Sequence, residues 1–174
     1  MKKLIAVCGS EADDPNLSAA TLNVAERVGR LIAEKGAILV CGGGGGIMEA
    51  ACRGAKSANG LTVGILPGDK RYANPYVDIG ITTHLGRARN YILVQSADVV
   101  IGIAGRWGTL NEISFACNIG KPVVIIKGSG GWMDILSCEK VKEKLKDLST
   151  YPLVTSSPEE AINIAFRLIH EAER

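Results

Sequence analysis

The groups in this sequence that could do chemistry sit in three glycine-bearing turns and one arginine pair. "CGGGGGIMEA" (41–50) places five consecutive glycines, Gly42 to Gly46, directly ahead of a helix-like run. A tight turn needs one or two glycines, and more of them cost chain entropy. Their use is close approach, since exposed backbone N–H groups at a helix N-terminus form an anion cradle. Gly43, Gly44 and Gly45 are therefore candidate phosphate ligands. "IGIAGRWGTLNEISFA" (101–116) puts Arg106 and Trp107 between Gly105 and Gly108, with Thr109 and Glu112 three apart. T-x-x-E is the pattern of a helix capping box. Catalysis is the other use of such a glutamate, and both readings stay open. If both turns open helices in one sheet, two N-termini converge on one anion. "CGSEADD" (8–14) is the third such turn and adds Gly9 and Ser10. "THLGRARNYILV" (83–94) supplies cations: Arg87 and Arg89, two apart, point to different faces of a helix, so one of them faces ligand. His84 reads as incidental.

The commoner nucleotide signatures are absent. Ile47, Met48 and Glu49 stand where G-x-G-x-x-G needs its third glycine, and no G-x-x-x-x-G-K-[ST] occurs. An ordinary dinucleotide site and a Walker ATPase are disfavoured on that ground.

The elements that must position these turns alternate. "KLIAVCG" (3–9), "AILVCG" (37–42), "LTVGILP" (61–67), "DVVIGIAG" (98–105) and "KPVVIIKG" (121–128) read as strands, with weaker ones at 78–83 and 152–155. Their nearly continuous Val, Ile and Leu content suits strands buried on both faces of a parallel sheet. Helical patterns fall at 17–36, 46–58, 86–97, 109–120 and 157–174, the last opening with Ser157 as cap, Pro158 in the first turn and Glu160 in the box position. This alternation predicts an α/β, Rossmann-like, doubly wound, mostly parallel sheet with helices on both faces. In such folds ligands bind beyond the carboxyl ends of the strands, where the three turns would lie. Residues 1–174 read as a single domain, without repeat, linker or low-complexity tract.

Composition narrows the partners. The chain has 20 basic and 18 acidic residues, a net charge of +2, and no basic stripe interleaved with aromatics, so nucleic acid is not expected. The charge run at 138–147 mixes signs at helical spacing and reads as a solvated helix face. No stretch reaches the roughly 18 apolar residues of a membrane span. The N-terminal "MKKLIAVCGSEADD" has too short an apolar part for a signal peptide, so a cytoplasmic location is expected. Five cysteines without a C-x-x-C, together with two histidines, suggest neither a disulfide framework nor a metal site. Cys8 and Cys41 end apolar runs and read as small buried hydrophobes.

Several of these segments together, "VCGS" (7–10), "CGGGGGIMEAA" (41–51), "GILP" (64–67), "RNYILVQSADVVI" (89–101) and "AGRWGTLNE" (104–112), resemble the LOG-like superfamily. That superfamily includes cytokinin-activating nucleoside 5′-monophosphate phosphoribohydrolases and was long labelled as lysine decarboxylases. The stretch "GLTVGILPGDKRYANPYVDIGITTHLGRARN" (60–90) is closer to the branch that contains molybdenum-cofactor carrier proteins. Carried over from the hydrolase motif P-G-G-x-G-T-x-x-E, the resemblance implies a catalytic Glu112 and a phosphate-binding turn from Gly105 to Thr109, which includes Arg106 and Gly108. It also implies a catalytic Arg89, nine residues before Asp98. Three positions depart from the hydrolase pattern: Ala104 replaces the proline, Arg106 the second glycine, and Asn90 the lysine after the arginine. The decarboxylase label fails on chemistry, because no glycine turn holds a lysine placed for a Schiff base.

Two functions follow from the resemblance. One is hydrolysis of the N-glycosidic bond of a nucleoside 5′-monophosphate, its phosphate on Gly43 to Gly45 and on the N–H groups of Gly108 and Thr109. The other is a non-catalytic carrier of molybdenum cofactor or another phosphorylated pterin. In either case the partner is a small phosphorylated molecule, no cofactor is required beyond that nucleotide or molybdenum-cofactor ligand, and the resemblance implies a homodimer or homotetramer.

Overall fold

The computed structural model describes residues 1–145 and 150–172. Its core is a seven-stranded sheet of β1 (Leu4–Gly9), β2 (Ile38–Cys41), β3 (Thr62–Leu66), β4 (Ile79–Thr82), β5 (Val99–Ile103), β6 (Val123–Ile126) and β7 (Leu153–Thr155). The strands lie in the order β4-β3-β2-β1-β5-β6-β7, and every ladder is parallel. The expected α/β doubly wound architecture is therefore present. The chain winds outward from β1 to β4, then returns to the other side of β1 with β5, which puts the topological switch between β1 and β5. Ligand sites in open α/β sheets form at that crevice.

The period of two along each strand builds two cores. Ile5, Val7, Leu39, Cys41, Val99 and Ile101 face α1 (Ala19–Glu34), α2 (Ile47–Ser57) and α7 (Pro158–Ala172). Ala6, Cys8, Val40, Val100 and Ile125 face α3 (Arg89–Ser96), α4 (Trp107–Asn118) and α5 (Gly131–Leu136). Each fully buried Ile, Leu or Val contributes about 1.5–3 kcal/mol. α1 and α2 touch backbone to backbone: a Cβ on Gly29 would lie 1.8 Å from the Ala51 carbonyl oxygen, and one on Gly54 1.8 Å from that of Glu26. Among the described residues, no helix is long and apolar enough to cross a membrane.

The helix ends differ from the sequence reading in ways that matter for the site. α1 starts at Ala19, because the Ser18 hydroxyl accepts from the Thr21 N–H at 3.1 Å. The helix expected at 86–97 opens with a 3-10 turn, Gly86–Ala88, and becomes α-helical only at Arg89. α4 begins at Trp107 with Arg106 as its N-cap residue, two positions ahead of the expected start. Thr109 and Glu112 therefore lie inside the helix, and the T-x-x-E pattern is not a capping box here. α5 was not expected at all. The charge run forms α6 (Glu139–Lys144), and its end at 146–147 lies outside the described residues. At α7 the Ser157 hydroxyl accepts from the Glu160 N–H at 3.2 Å, but the Glu160 carboxylate turns to the Thr155 hydroxyl, so only half of the expected box forms.

Candidate functional site

A cavity of about 630 Å³ opens beyond the carboxyl ends of β1 and β5. Three backbone turns make its frame. Ser10, at the end of β1, donates its hydroxyl proton to Asp14 Oδ2 at 2.5 Å and accepts the Gly105 N–H at 2.9 Å. This one hydroxyl ties the two central turns together across the switch point. The bond from Ser10 is the main cause that holds the Asp14 carboxyl below its usual range.

The turn after β5 is held from below. Ala104 has φ +55°, its N–H donates to the Ser129 hydroxyl at 2.7 Å, and its carbonyl accepts from Met133. Proline, locked near φ −65°, cannot take this conformation. The alanine that replaces the hydrolase proline thus belongs to a turn of another shape. Gly105, at φ +103°, is required because a Cβ would lie 2.5 Å from that of Thr109. Its N–H and carbonyl are both spent inside the protein, on Ser10 and Trp132.

α4 leaves its first turn open. The N–H groups of Trp107, Gly108 and Thr109 have no hydrogen-bond partner among the described residues, and no side chain caps them. These three donors, with the positive end of a helix dipole behind them, face the cavity that Trp107, Gly108 and Thr109 line. Guanidinium groups surround them. Arg87 Nη1 lies 3.8 Å from where a Gly108 Cβ would be, and Arg87 makes no ion pair among the described residues. Arg106 pairs with the exposed Asp13 across the mouth.

Arg89 and Glu112 form the floor. Arg89 Nη1 donates to Glu112 Oε1 at 2.8 Å, with the two residues only 8% and 5% exposed. Burial pushes the Glu112 carboxyl above its ordinary range, against the opposing charge of Arg89 and a hydrogen bond with the Cys8 thiol. Burial, and then Glu112 itself, raise the Cys8 thiol as well. Arg89 Nε is buried without a partner. Arg87 and Arg89 both line the cavity, Arg87 exposed and Arg89 buried, because the helix starts only at Arg89. Asn90, next to it, is held by its amide on Asn111 at 2.8 Å and also lines the wall. His84, in a left-handed backbone conformation, lies outside the cavity.

The five-glycine turn stands behind the wall rather than in it. Gly9, Ser10, Arg89, Asn90, Arg106, Gly108, Thr109 and Glu112 line the cavity, whereas Gly43, Gly44, Gly45 and Gly105 do not. The reason is packing. The β1–α1 loop lies over the glycines: a Cβ on Gly44 would meet the Glu11 carboxylate at 2.5 Å, and one on Gly46 the Ser10 carbonyl at 2.4 Å. A Cβ on Gly42 would stand 2.3 Å from the Arg89 guanidinium. Asn74 further occupies the Gly43 and Gly44 carbonyls. The first N–H of α2, that of Ile47, goes to the Ser10 carbonyl at 3.0 Å, so α2 has one open first-turn donor fewer than α4 among the described residues.

Glu11, Asp13, Met48, Pro67, Gly86 and Trp107 complete the wall. Sequence reading singled out the "CGSEADD" turn but not Glu11 within it, because its place depends on β1 and β2 being neighbours. Trp107 is 72% exposed and leans on Trp132, the ring centroids 5.0 Å apart at 55°. Among the described residues, no cluster of His, Cys, Asp and Glu could hold a metal ion.

Comparison with known proteins places this geometry. Residues 2–162 match the profile of the SLOG cluster4 family. The molybdenum cofactor binding protein of the phototrophic bacterium Rippkaea orientalis is 38% identical, with a TM-score of 0.83 over 97% of this chain and 98% of that one. The molybdenum cofactor carrier protein of Chlamydomonas reinhardtii is 32% identical, with a TM-score of 0.82 over 97% and 99%. An uncharacterized protein of Archaeoglobus fulgidus is 50% identical over 107 residues, 62% of this chain and 71% of its own length. The likeness read from the motifs, to the carrier branch of LOG-like proteins, holds over nearly the whole chain.

Proposed function

The chain belongs to the SLOG cluster4 family, and from that premise we propose that it binds a small phosphorylated ligand and holds it intact, as a carrier of a pterin phosphate such as molybdenum cofactor. The observation that carries this reading is the open first turn of α4. Three unpartnered N–H groups meet Arg87, Arg89 and Arg106 in one cavity. A phosphate there replaces water on all three donors and gains charge-assisted bonds from the planar guanidinium forks. The cavity, about 630 Å³, lies within the roughly 300–1,000 Å³ range of small-molecule sites. The likeness to the Rippkaea molybdenum cofactor binding protein and the Chlamydomonas molybdenum cofactor carrier protein supports the choice of cargo.

Gly108, Thr109, Arg87 and Arg106 hold the phosphate in this reading. Glu112 fixes Arg89, and Asn90 faces the body of the ligand. A thermal-shift comparison of a phosphorylated pterin with its dephosphorylated form tests it. Ligand at a hundredfold excess over Kd adds about 2.7 kcal/mol to native-state stability. A shift with the phosphorylated form alone supports the reading, and equal shifts remove the phosphate anchor.

Hydrolysis of a nucleoside 5′-monophosphate is the second reading. It is favoured by Glu112, a cavity-lining carboxyl raised by burial beside an arginine, the environment expected of an acid–base group. Release of free base from a nucleoside monophosphate, lost in Glu112→Gln, would decide for it.

A further inference from the structure

Glu11 is the acidic side chain of the cavity wall that makes no ion pair among the described residues. Asp13 pairs with Arg106 and Glu112 with Arg89. Its carboxylate lies against the five-glycine turn, close to where a Gly44 Cβ would be. Partial burial raises its carboxyl against the attraction of Arg89, while the residue as a whole stays exposed and open to a ligand.

Topology sets its distance from the anion site. α4 starts beyond β5 and the glycine turn follows β2, with β1 between them. Two strand spacings, roughly 10 Å, separate these loops. A phosphate on α4 thus leaves the far edge of an attached ring system near Glu11, on the opposite wall.

We propose that Glu11 is a specificity-determining residue that reads the paired N–H and NH₂ donors of a 2-amino-4-oxopyrimidine ring. This inference rests on the phosphate site at α4 and deepens it by naming the ring class. A carboxylate offers two parallel acceptors, matching two parallel donors, and repels the ring edge that presents acceptors instead. Guanine and pterin both carry this donor pair; hypoxanthine lacks the amino group and adenine lacks the N–H.

The test is calorimetric titration of the unmodified protein with ribose 5-phosphate, GMP, IMP and AMP, followed by GMP and IMP on Glu11→Gln. GMP is expected to bind about ten- to a hundredfold tighter than IMP or AMP, the worth of a hydrogen bond to a charged group. In Glu11→Gln the GMP and IMP affinities are expected to converge. Equal affinity for GMP and IMP in the unmodified protein, with ribose 5-phosphate bound, overturns the role of Glu11 and leaves the phosphate site standing. Binding of none of the four overturns both. A preference for GMP that survives in Glu11→Gln also overturns it. A 6-hydroxymethylpterin phosphate titrated alongside identifies the source: tighter binding than GMP assigns the edge to a pterin, weaker binding to a guanine nucleotide.

Discussion

Arg89 and Glu112, 23 residues apart in the chain, meet at 2.8 Å beneath the open end of α4, in a setting almost closed to water. Removing one member of such a pair leaves an uncompensated buried charge, which costs about 3–5 kcal/mol. Arg89→Ala is expected to lose stability on that scale in urea denaturation. The double variant Arg89→Met with Glu112→Leu is expected to recover most of it, since well-packed apolar pairs replace buried ion pairs at little cost. A double variant no more stable than Arg89→Ala would contradict this.

The same burial sets the pH response. Glu112 binds its proton more tightly folded than unfolded, so the stability it contributes is full below the ordinary glutamate pKa of 4.5 and is lost as pH rises through its raised value. Asp14, held low first by Ser10, acts oppositely: its contribution is present above 3.8 and is lost as pH falls through its lowered value. Denaturation free energy measured against pH is therefore expected to fall above 4.5, and less steeply in Glu112→Gln. An unchanged slope in that variant would show that Glu112 titrates normally.

Gly29→Ala and Gly54→Ala set helix propensity against packing. Alanine favours the helix interior by up to about 1 kcal/mol. The new Cβ would stand 1.8 Å from a backbone carbonyl oxygen of the facing helix, which forces α1 and α2 apart. Overpacking of this kind costs about 1–3 kcal/mol or more. Both variants are expected to melt lower than the parent, and a higher melting temperature would show that the helices can separate freely.

Ala104→Pro restores the residue that the hydrolase motif has at this position. It demands a φ that the turn does not have and removes the N–H that donates to Ser129. A loss of about 3 kcal/mol or more is expected by calorimetric melting. A stable, hydrolytically active Ala104→Pro protein would show that the turn can adopt the hydrolase shape.

The sheet was legible because its strands are continuous Val and Ile runs, as in "VVIGI" of β5, and all seven strands were expected within a residue or two of their places. The start of α4 was not. Thr109 and Glu112 imitate a cap, but Gly105 is spent on Ser10 and packs on Thr109, which draws the helix start back to Trp107. α5 escaped because it is six residues long and follows glycines at positive φ. Of the candidate ligands, those beside a helix start (Gly108, Thr109) or on the arginine helix (Arg89, Asn90) line the cavity. The glycines at 43–45 read as a cradle because a glycine run looks alike whether a ligand or a neighbouring loop approaches it. Only the pairing of β1 with β2 shows that the neighbour is Glu11.

The most direct test is a crystal structure of the protein with a 6-hydroxymethylpterin phosphate or a nucleoside monophosphate bound. Phosphate oxygens are expected within about 3.1 Å of the Gly108 and Thr109 nitrogens, with Arg87 turned onto them. A phosphate seated on Gly43 to Gly45, or bound outside this cavity, would contradict the assignment of the open turn of α4 as the anion site.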